Sequence, residues 1–200
     1  MAPELIGRLI DQASAVIEAN AELLTALDSA IGDGDHGHNM RRGFQEIAAQ
    51  RAQLVELPLG PALHKAGMAL VMKVGGASGP LYGSLLMSMG KAAVEPPASA
   101  QDLAAIWAEG IEAIKRRGKS DVGAKTMLDV LIPVHDAMVN GGDIAAIRQV
   151  ADSALAVTKD MLATKGRAAF LGERSIGHID PGARSSALLI HAICDVVEEK

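Results

Sequence analysis

The chain has 200 residues, 49% of them hydrophobic and 22% charged, so it can bury one substantial core. Only four residues are Phe, Tyr or Trp, whereas 35 are alanine, and this composition favours helices over strands. The net charge of −5, the absence of a long basic tract and the scarcity of aromatic residues argue against a nucleic-acid-binding surface. One cysteine, no signal peptide and no apolar run of about 18 residues predict a cytoplasmic protein without a membrane span.

Apolar residues recur at spacings of three and four along most of the chain, which predicts an all-α fold. The first helix begins at Pro3 and runs to about Ala30, unless Asn20 divides it. Further helices are predicted at 40–53, 61–73, 80–91, 100–117, 126–140, 144–165 and 184–199. No linker-like segment interrupts this series, so residues 1–200 are predicted to form a single domain.

Several residues predict where these helices begin and end. Ser99 and Asp102 have the spacing of a capping box, and Asp143 is a predicted N-cap. Glycines are expected just after three of the helices, at Gly118, Gly141 and Gly166.

The connections between helices alternate in character. Those rich in glycine and reactive side chains span 31–39, 74–80, 118–126 and 166–184. The connections that lack such a combination of glycines and reactive side chains span 57–60, 95–99 and 140–143. Because alternate connections of antiparallel helices lie at the same end of a bundle, the four reactive loops are predicted to meet. The sequence therefore predicts one composite site at one end of a helical bundle or closed helical barrel.

Three aspartates mark the first of these loops. Asp28, Asp33 and Asp35 are separated by glycines that let the backbone fold back on itself, so their carboxylates can converge. Oxygen-only ligands suit Mg²⁺ or Ca²⁺. The alternative is a cluster of turn and cap residues that ends one helix and starts the next.

A zinc site is a second alternative for this loop. His36 and His38 could join Asp33 or Asp35 around Zn²⁺. No third histidine or cysteine lies nearby in the sequence, which favours the oxygen-ligated cation.

The other reactive loops suit a phosphate-bearing ligand. Gly75 to Gly79 precede a helix, where free N–H groups and small side chains let an anion approach the backbone. Thr126 adds a hydroxyl near a helix start, although it can equally be a cap. Arg167 and Arg174 offer guanidinium groups, although an isolated arginine is more often simply exposed. The segment from Asp180 to Gly182 is a strong turn signal.

In order and over nearly its whole length, the chain resembles the nucleotide-binding L subunit of dihydroxyacetone kinase. The matching segments are 31–37 with Asn39, 75–80, 125–127, 166–168 and 172–183. The resemblance implies a closed barrel of eight antiparallel amphipathic helices, with the site in the loops at one end.

The resemblance also implies roles for individual residues. Asp28, Asp33 and Asp35 match the aspartates that hold two Mg²⁺ ions on the nucleotide phosphates, and Arg167 would add positive potential for catalysis. ADP or ATP contacts are implied for His36, Gly37, His38, Asn39, Ala77, Ser78, Gly118, Met127, Arg167, Asp180, Pro181 and Gly182. Gly76 and Thr126 are added to this set because of their positions in the glycine-rich loop and at the helix start.

Partners follow from the same resemblance. A separate K subunit would hold dihydroxyacetone, or a related ketose, covalently on a histidine. A phosphohistidine protein would rephosphorylate the bound ADP, as in bacterial phosphotransferase systems, and a free-standing L chain favours this arrangement. The alternatives are an ATP-dependent split sugar kinase, a nucleotide-loaded partner of a transcription regulator, and a helical metal-binding protein without nucleotide. A homodimer is also left open.

Overall fold

The computed structural model describes residues 3–199, which form nine α-helices and two 3₁₀ segments and, within that range, no strand. The helices are α1 (Pro3–Ile31), α2 (His36–Ala49), α3 (Arg51–Leu54), α4 (Leu59–Lys73), α5 (Ser78–Ala92), α6 (Ala100–Gly118), α7 (Leu128–Val139), α8 (Ile144–Val157) and α9 (Pro181–Glu198). The 3₁₀ segments are Thr158–Asp160 and Arg167–Ser175.

Eight of these helices form a closed ring. Each packs on the next in the order α1, α2, α4, α5, α6, α7, α8, α9, and α9 packs back on α1. At the closure, the Arg8 guanidinium donates to the Val196 carbonyl at 3.1 Å. The single turn α3 lies in the connection between α2 and α4. The predicted all-α barrel of eight antiparallel helices is thus confirmed.

Small residues let neighbouring helices approach closely. A Cβ atom at Gly67 of α4 would lie 2.7 Å from the Gly83 carbonyl oxygen of α5. Further along the same two helices, a Cβ atom at Gly60 would lie 2.7 Å from the Gly90 carbonyl oxygen, and one at Gly90 would lie 2.6 Å from the Gly60 carbonyl oxygen. The interior is filled by aliphatic side chains, of which Ile17, Leu24, Leu128, Val130 and Val134 are fully buried. The core is therefore filled without large aromatic rings, because the helix backbones pack tightly against one another. Among residues 3–199, no helix combines the length and apolar character needed to cross a membrane.

The first predicted helix is confirmed, because α1 runs from Pro3 to Ile31 and continues through Asn20, whose side-chain amide donates to the Val16 carbonyl one turn earlier. Several other predicted helix boundaries were wrong. The predicted helix 40–53 starts earlier, at His36, and is interrupted at Gln50. Helix α7 begins at Leu128, two residues later than expected.

The largest error concerns the predicted helix 144–165. Helix α8 ends at Val157, and after one 3₁₀ turn Met161 adopts an extended conformation. Gly166 therefore does not follow a helix, although its φ of 68° is left-handed. Beyond it, part of the predicted loop is the 3₁₀ segment, and α9 starts at Pro181 instead of 184.

The predicted N-terminal caps are confirmed. Ser99 and Asp102 form both hydrogen bonds of a capping box, and Asp143 accepts the N–H of Ala146 at 2.8 Å. At the end of α6, Lys119 takes the left-handed cap position, directly after Gly118.

Candidate functional site

The four reactive loops meet at one end of the barrel around a cleft of about 150 Å³. Thirteen of the predicted site residues line it: Asp28, Asp33, Asp35, His36, Gly76, Ala77, Ser78, Thr126, Met127, Arg167, Asp180, Pro181 and Gly182. The prediction that these four loops meet at one end of the barrel is therefore confirmed.

The three aspartates converge on one side of the cleft. Carboxylate oxygens of Asp28, Asp33 and Asp35 lie within 4.8 Å of one another. Buried Asp28 accepts the backbone N–H groups of Asp35 at 2.9 Å and His36 at 3.1 Å, and this fixes the loop on the end of α1. Gly34 has a φ of 74°, which lets the chain reverse between the other two aspartates. Such an oxygen-only donor set fits Mg²⁺.

Arg167 reaches this cluster from the last loop. Its Nη2 atom lies 2.9 Å from Oδ2 of Asp33, and the arginine side chain is 66% exposed. An ion pair this exposed adds little to fold stability, but it places a guanidinium beside the carboxylates.

The glycine-rich loop faces the aspartates. Gly76 is left-handed, with a φ of 65°, and a Cβ atom there would lie 3.5 Å from both Asp35 carboxylate oxygens. Helix α5 starts two residues later, so its first N–H groups point toward the same space. Below the loop, buried Asn39 accepts from Arg42 at 2.7 Å, while its own Nδ2 atom is an unpaired donor. An anionic oxygen held over this loop fits the N–H groups at the start of α5.

A buried polar network lies behind the glycine-rich loop. His36 Nδ1 is 2.8 Å from the Ser78 hydroxyl, and Nε2 is 2.9 Å from the Ser185 hydroxyl. The Tyr82 hydroxyl also contacts Ser185, at 2.8 Å, and burial raises the pKa of Tyr82 to about 12. Burial lowers the pKa of the His36 imidazole, despite the nearby carboxylates. His36 thus joins α2, α5 and α9 through its two ring nitrogens.

This network does not favour the zinc alternative. Both ring nitrogens of His36 are engaged with serine hydroxyls, and exposed His38 pairs with Arg41 at 3.0 Å. Neither histidine belongs to the group of converging ligand atoms in the described part of the chain.

The opposite wall is built around the start of α7. The Asp129 carboxylate accepts the N–H groups of Gly123 at 2.5 Å and Thr126 at 2.6 Å, and so shapes this connection. The Thr126 hydroxyl accepts the N–H of Leu128 at 3.3 Å, so its alternative role as a cap is observed. Next to it, Met127 presents a buried apolar side chain.

Asp180 closes the cleft at the start of α9. Its carboxylate caps that helix by accepting the Ala183 N–H at 2.7 Å. Burial raises the pKa of Asp180 to about 7, and the negative charges of Asp129 and Asp28 add to this effect, while the Ala183 N–H and Lys125 oppose it. The carboxyl is therefore partly protonated near neutral pH.

Four predicted site residues do not line the cleft: Gly37, His38, Asn39 and Gly118. A side chain at Gly37 would collide with the Ala21 carbonyl oxygen, so this glycine is needed for the packing of α2 on α1. Gly118 ends α6 beside Leu81, and Arg174 is exposed.

Other lining residues were not predicted from the sequence. Lys125 and Tyr82 contribute to the walls, together with Lys165 and Gly166 beside Arg167. For the α7 start a signal was present, because Thr126 and Asp129 have the spacing of a capping box. Tyr82 lies at an ordinary helical core position and carries no local signal, and the same is true of Ser185, which contacts it behind the cleft.

Fold and site together define an eight-helix barrel domain with a site suited to a divalent cation and a phosphate group. Residues 30–195 match the DAK2 domain, and the chain belongs to that family. It is 49% identical over 177 residues to a protein of Listeria innocua named PEP-dependent dihydroxyacetone kinase 1, ADP-binding subunit DhaL, covering 88% of each chain.

Two further similarities extend this result. The chain is 42% identical to the PTS-dependent dihydroxyacetone kinase, ADP-binding subunit DhaL, of Lactococcus lactis, over 90% of this chain and 91% of that one. The solved structure of the dihydroxyacetone kinase from C. freundii in complex with AMP-PNP and Mg²⁺ has the same fold, with a TM-score of 0.78 and 24% identity. This chain corresponds to 34% of that longer one and is covered over 98% of its own length.

Proposed function

We propose that this chain is the ADP-binding subunit of a dihydroxyacetone kinase. The two relatives named as such subunits match it over nearly their full lengths, so the proposal concerns the whole chain as a single domain. The observation that carries it is the convergence of Asp28, Asp33 and Asp35 opposite Gly76 and the start of α5. This arrangement offers ligands for a cation on one side of the cleft and hydrogen-bond donors for a phosphate group on the other.

The chemistry requires alignment and charge neutralisation more than covalent participation by the protein. The carboxylates of Asp28, Asp33 and Asp35 would hold Mg²⁺, which would neutralise negative charge on the nucleotide phosphates. The N–H groups at the start of α5 and the Ser78 hydroxyl orient phosphate oxygens, and Arg167 adds a guanidinium fork from the opposite loop. Ligand cavities usually reach about 300–1,000 Å³, so this smaller one of about 150 Å³ would hold the phosphates and leave the nucleoside outside it.

The acceptor and donor are proposed to come from other proteins. Dihydroxyacetone would be held on a separate subunit that docks over the cleft, and a phosphohistidine protein would recharge the bound nucleotide. The names of both relatives, which specify PEP or PTS dependence, support this donor rather than free ATP. A cytoplasmic location, which a single buried cysteine favours, completes the proposal.

Native mass spectrometry of the purified chain, with and without Mg²⁺, tests the nucleotide. We expect ADP or ATP to remain bound with Mg²⁺ and to be lost with a chelator. If no nucleotide is retained in either condition, the assignment is wrong and a nucleotide-free metal protein is favoured.

Reconstitution with the sugar-binding subunit tests the reaction. We expect dihydroxyacetone phosphate to form when phosphoenolpyruvate and the phosphohistidine relay are supplied. Turnover with ATP alone would instead identify an ATP-dependent split kinase. No turnover with either donor, combined with nucleotide-dependent binding to a transcription regulator, would overturn the catalytic role.

A further inference from the structure

Lys125 is a buried cation in the connection between α6 and α7. Its side chain is 1% exposed, and its Nζ atom donates to the Ser175 carbonyl at 2.5 Å and the Met161 carbonyl at 3.1 Å. Asp180 and Asp160 influence it only through the longer-range field of their charges. The ammonium group is therefore held mainly by two backbone oxygens.

Two features of Lys125 cost free energy. A buried ammonium loses its hydration, and its φ of 61° is a left-handed conformation that non-glycine residues disfavour. The contacts of the ammonium group must offset these costs. Hydrogen bonds from a charged donor to buried carbonyls are among the stronger ones available in a protein.

Those two carbonyls lie at the two ends of one segment. Between Met161 and Ser175 the chain leaves the barrel, passes through the left-handed Gly166 and carries Arg167 into the cleft. Lys125 bridges the start and the end of this segment, so its side chain closes the segment into a loop. The Thr164 N–H adds a backbone bond to the Ala124 carbonyl, at 3.2 Å, directly beside the lysine.

The loop has further supports besides the lysine, among them the exposed ion pair of Arg167 with Asp33. The Ser175 hydroxyl accepts the Ala163 N–H at 3.0 Å and donates to the Gly172 carbonyl at 2.7 Å. A small apolar cluster formed by Ile31, Ala163 and Ala168 attaches the loop to the end of α1. Phe170, near the middle of the segment, is 88% exposed and packs little. Loss of the lysine would therefore remove the two hydrogen bonds that tie the start and the end of the loop to the connection between α6 and α7.

We propose that Lys125 is a positioning residue, whose ammonium group closes the segment 161–175 and thereby fixes Arg167 beside the aspartate cluster. Lys125 acts on the ligand through the loop, not as a direct phosphate contact. The effect on ligand binding rests on the proposed function, whereas the effect on the loop does not.

The first test measures the loop without any ligand. Amide hydrogen exchange of the full chain is compared with Lys125→Met, which keeps the length of the side chain and removes the charge and its donors. The matched control is Lys119→Met, because Lys119 is also left-handed, with a φ of 47°, but is exposed. We expect peptides covering 161–175 to exchange about tenfold faster or more in Lys125→Met only. Unchanged exchange in these peptides would overturn the proposal.

The second test is a double-mutant cycle on Mg²⁺-dependent ADP affinity. If Lys125 acts through the position of Arg167, the combination of Lys125→Met and Arg167→Ala should weaken binding only about as much as the larger single effect. Multiplied effects would show that Lys125 acts independently of Arg167, and would overturn that part of the inference. Lys119→Met should leave the affinity unchanged.

A further variant guards against a folding failure. Lys125→Gln retains two N–H donors without the charge, so if Lys125→Met does not fold we expect Lys125→Gln to show an intermediate acceleration of exchange. Wild-type exchange in Lys125→Gln would then count against the role of the charge. If the unmodified chain binds no nucleotide, the proposed function fails while the exchange experiment still decides the role of Lys125 in the loop.

Discussion

The Arg167 guanidinium and the Asp33 carboxylate lie 2.9 Å apart, Nη2 to Oδ2, and join the last reactive loop to the first. Arg167 thus balances charge on a residue that we propose as a cation ligand. A cation at the aspartates and the guanidinium therefore compete for Asp33, while a bound phosphate could contact both.

This competition predicts that Arg167→Ala has different effects on the affinity for Mg²⁺ and on the affinity for ADP. Affinity for Mg²⁺ alone should stay the same or rise, because Asp33 is freed. Affinity for ADP in the presence of Mg²⁺ should fall about tenfold, through the loss of a charge-assisted contact. Isothermal titration of both ligands measures this, with exposed Arg116→Ala as the control. A parallel fall in both affinities would contradict the competition.

Replacement of Asp33 tests the cation site. Asp33 is partly exposed and lies in a loop, so Asp33→Ala should leave the helical content, measured by circular dichroism, unchanged. Mg²⁺-dependent retention of nucleotide should be lost, because one of three converging carboxylates is missing. Exposed Glu109→Gln removes a charge elsewhere and should have no effect. Wild-type retention in Asp33→Ala would remove this residue from the site.

The pKa of Asp180 predicts a pH dependence of stability. Its folded-state pKa of about 7 lies above the unfolded value of about 3.9, so the unfolded chain loses this proton first as pH rises. The contribution of the protonated Asp180 carboxyl to the free energy of unfolding is therefore fully present below about pH 4 and is lost as the pH rises toward 7. Asp180→Asn keeps a capping oxygen without the charge.

The difference in the free energy of unfolding between wild type and Asp180→Asn should therefore increase as the pH rises. Between pH 5 and 7 the advantage of Asp180→Asn over wild type should grow by about 2 kcal/mol and then level off. Urea denaturation at several pH values measures this difference. A constant difference across that range would show that the Asp180 carboxyl titrates normally.

Two glycines predicted as nucleotide contacts should respond differently to alanine. At Gly37 a Cβ atom would collide with the Ala21 carbonyl oxygen, so Gly37→Ala should lower the stability by about 3 kcal/mol or prevent folding. At Gly118 the nearest atom, on Leu81, lies at an ordinary 3.5 Å, so Gly118→Ala should be tolerated. Thermal denaturation compares the two, and equal melting temperatures would contradict the proposed packing role of Gly37.

The general arrangement of this site could be predicted because it depends on connectivity alone. Antiparallel helices bring alternate loops to one end, whatever the details of their packing. By contrast, the start of α2 could not be placed from local sequence. The N–H groups of Asp35 and His36 are accepted by Asp28, seven and eight residues earlier, instead of by an adjacent cap residue.

The end of α8 was mispredicted for a similar reason. The apolar periodicity continues to about residue 165, but tertiary contacts take over after Val157. There the Lys159 carbonyl accepts the Gly177 N–H, and the Met161 carbonyl accepts from Lys125. Both partners are distant in the sequence, so no local pattern signals this change.

The contact between α1 and α9 also determines when the ring of helices can close during synthesis of the chain. Arg8 and Val196, which meet there, are separated by 188 positions, so the ring closes only when the last helix has left the ribosome. That same helix supplies two lining residues of the cleft, Pro181 and Gly182, and its N-cap Asp180 supplies a third. A nascent chain that lacks this helix has the aspartate loop and the α7 wall but not the end of the cleft that Asp180 closes, so ligand capture should be a late event of biosynthesis and not an early aid to folding.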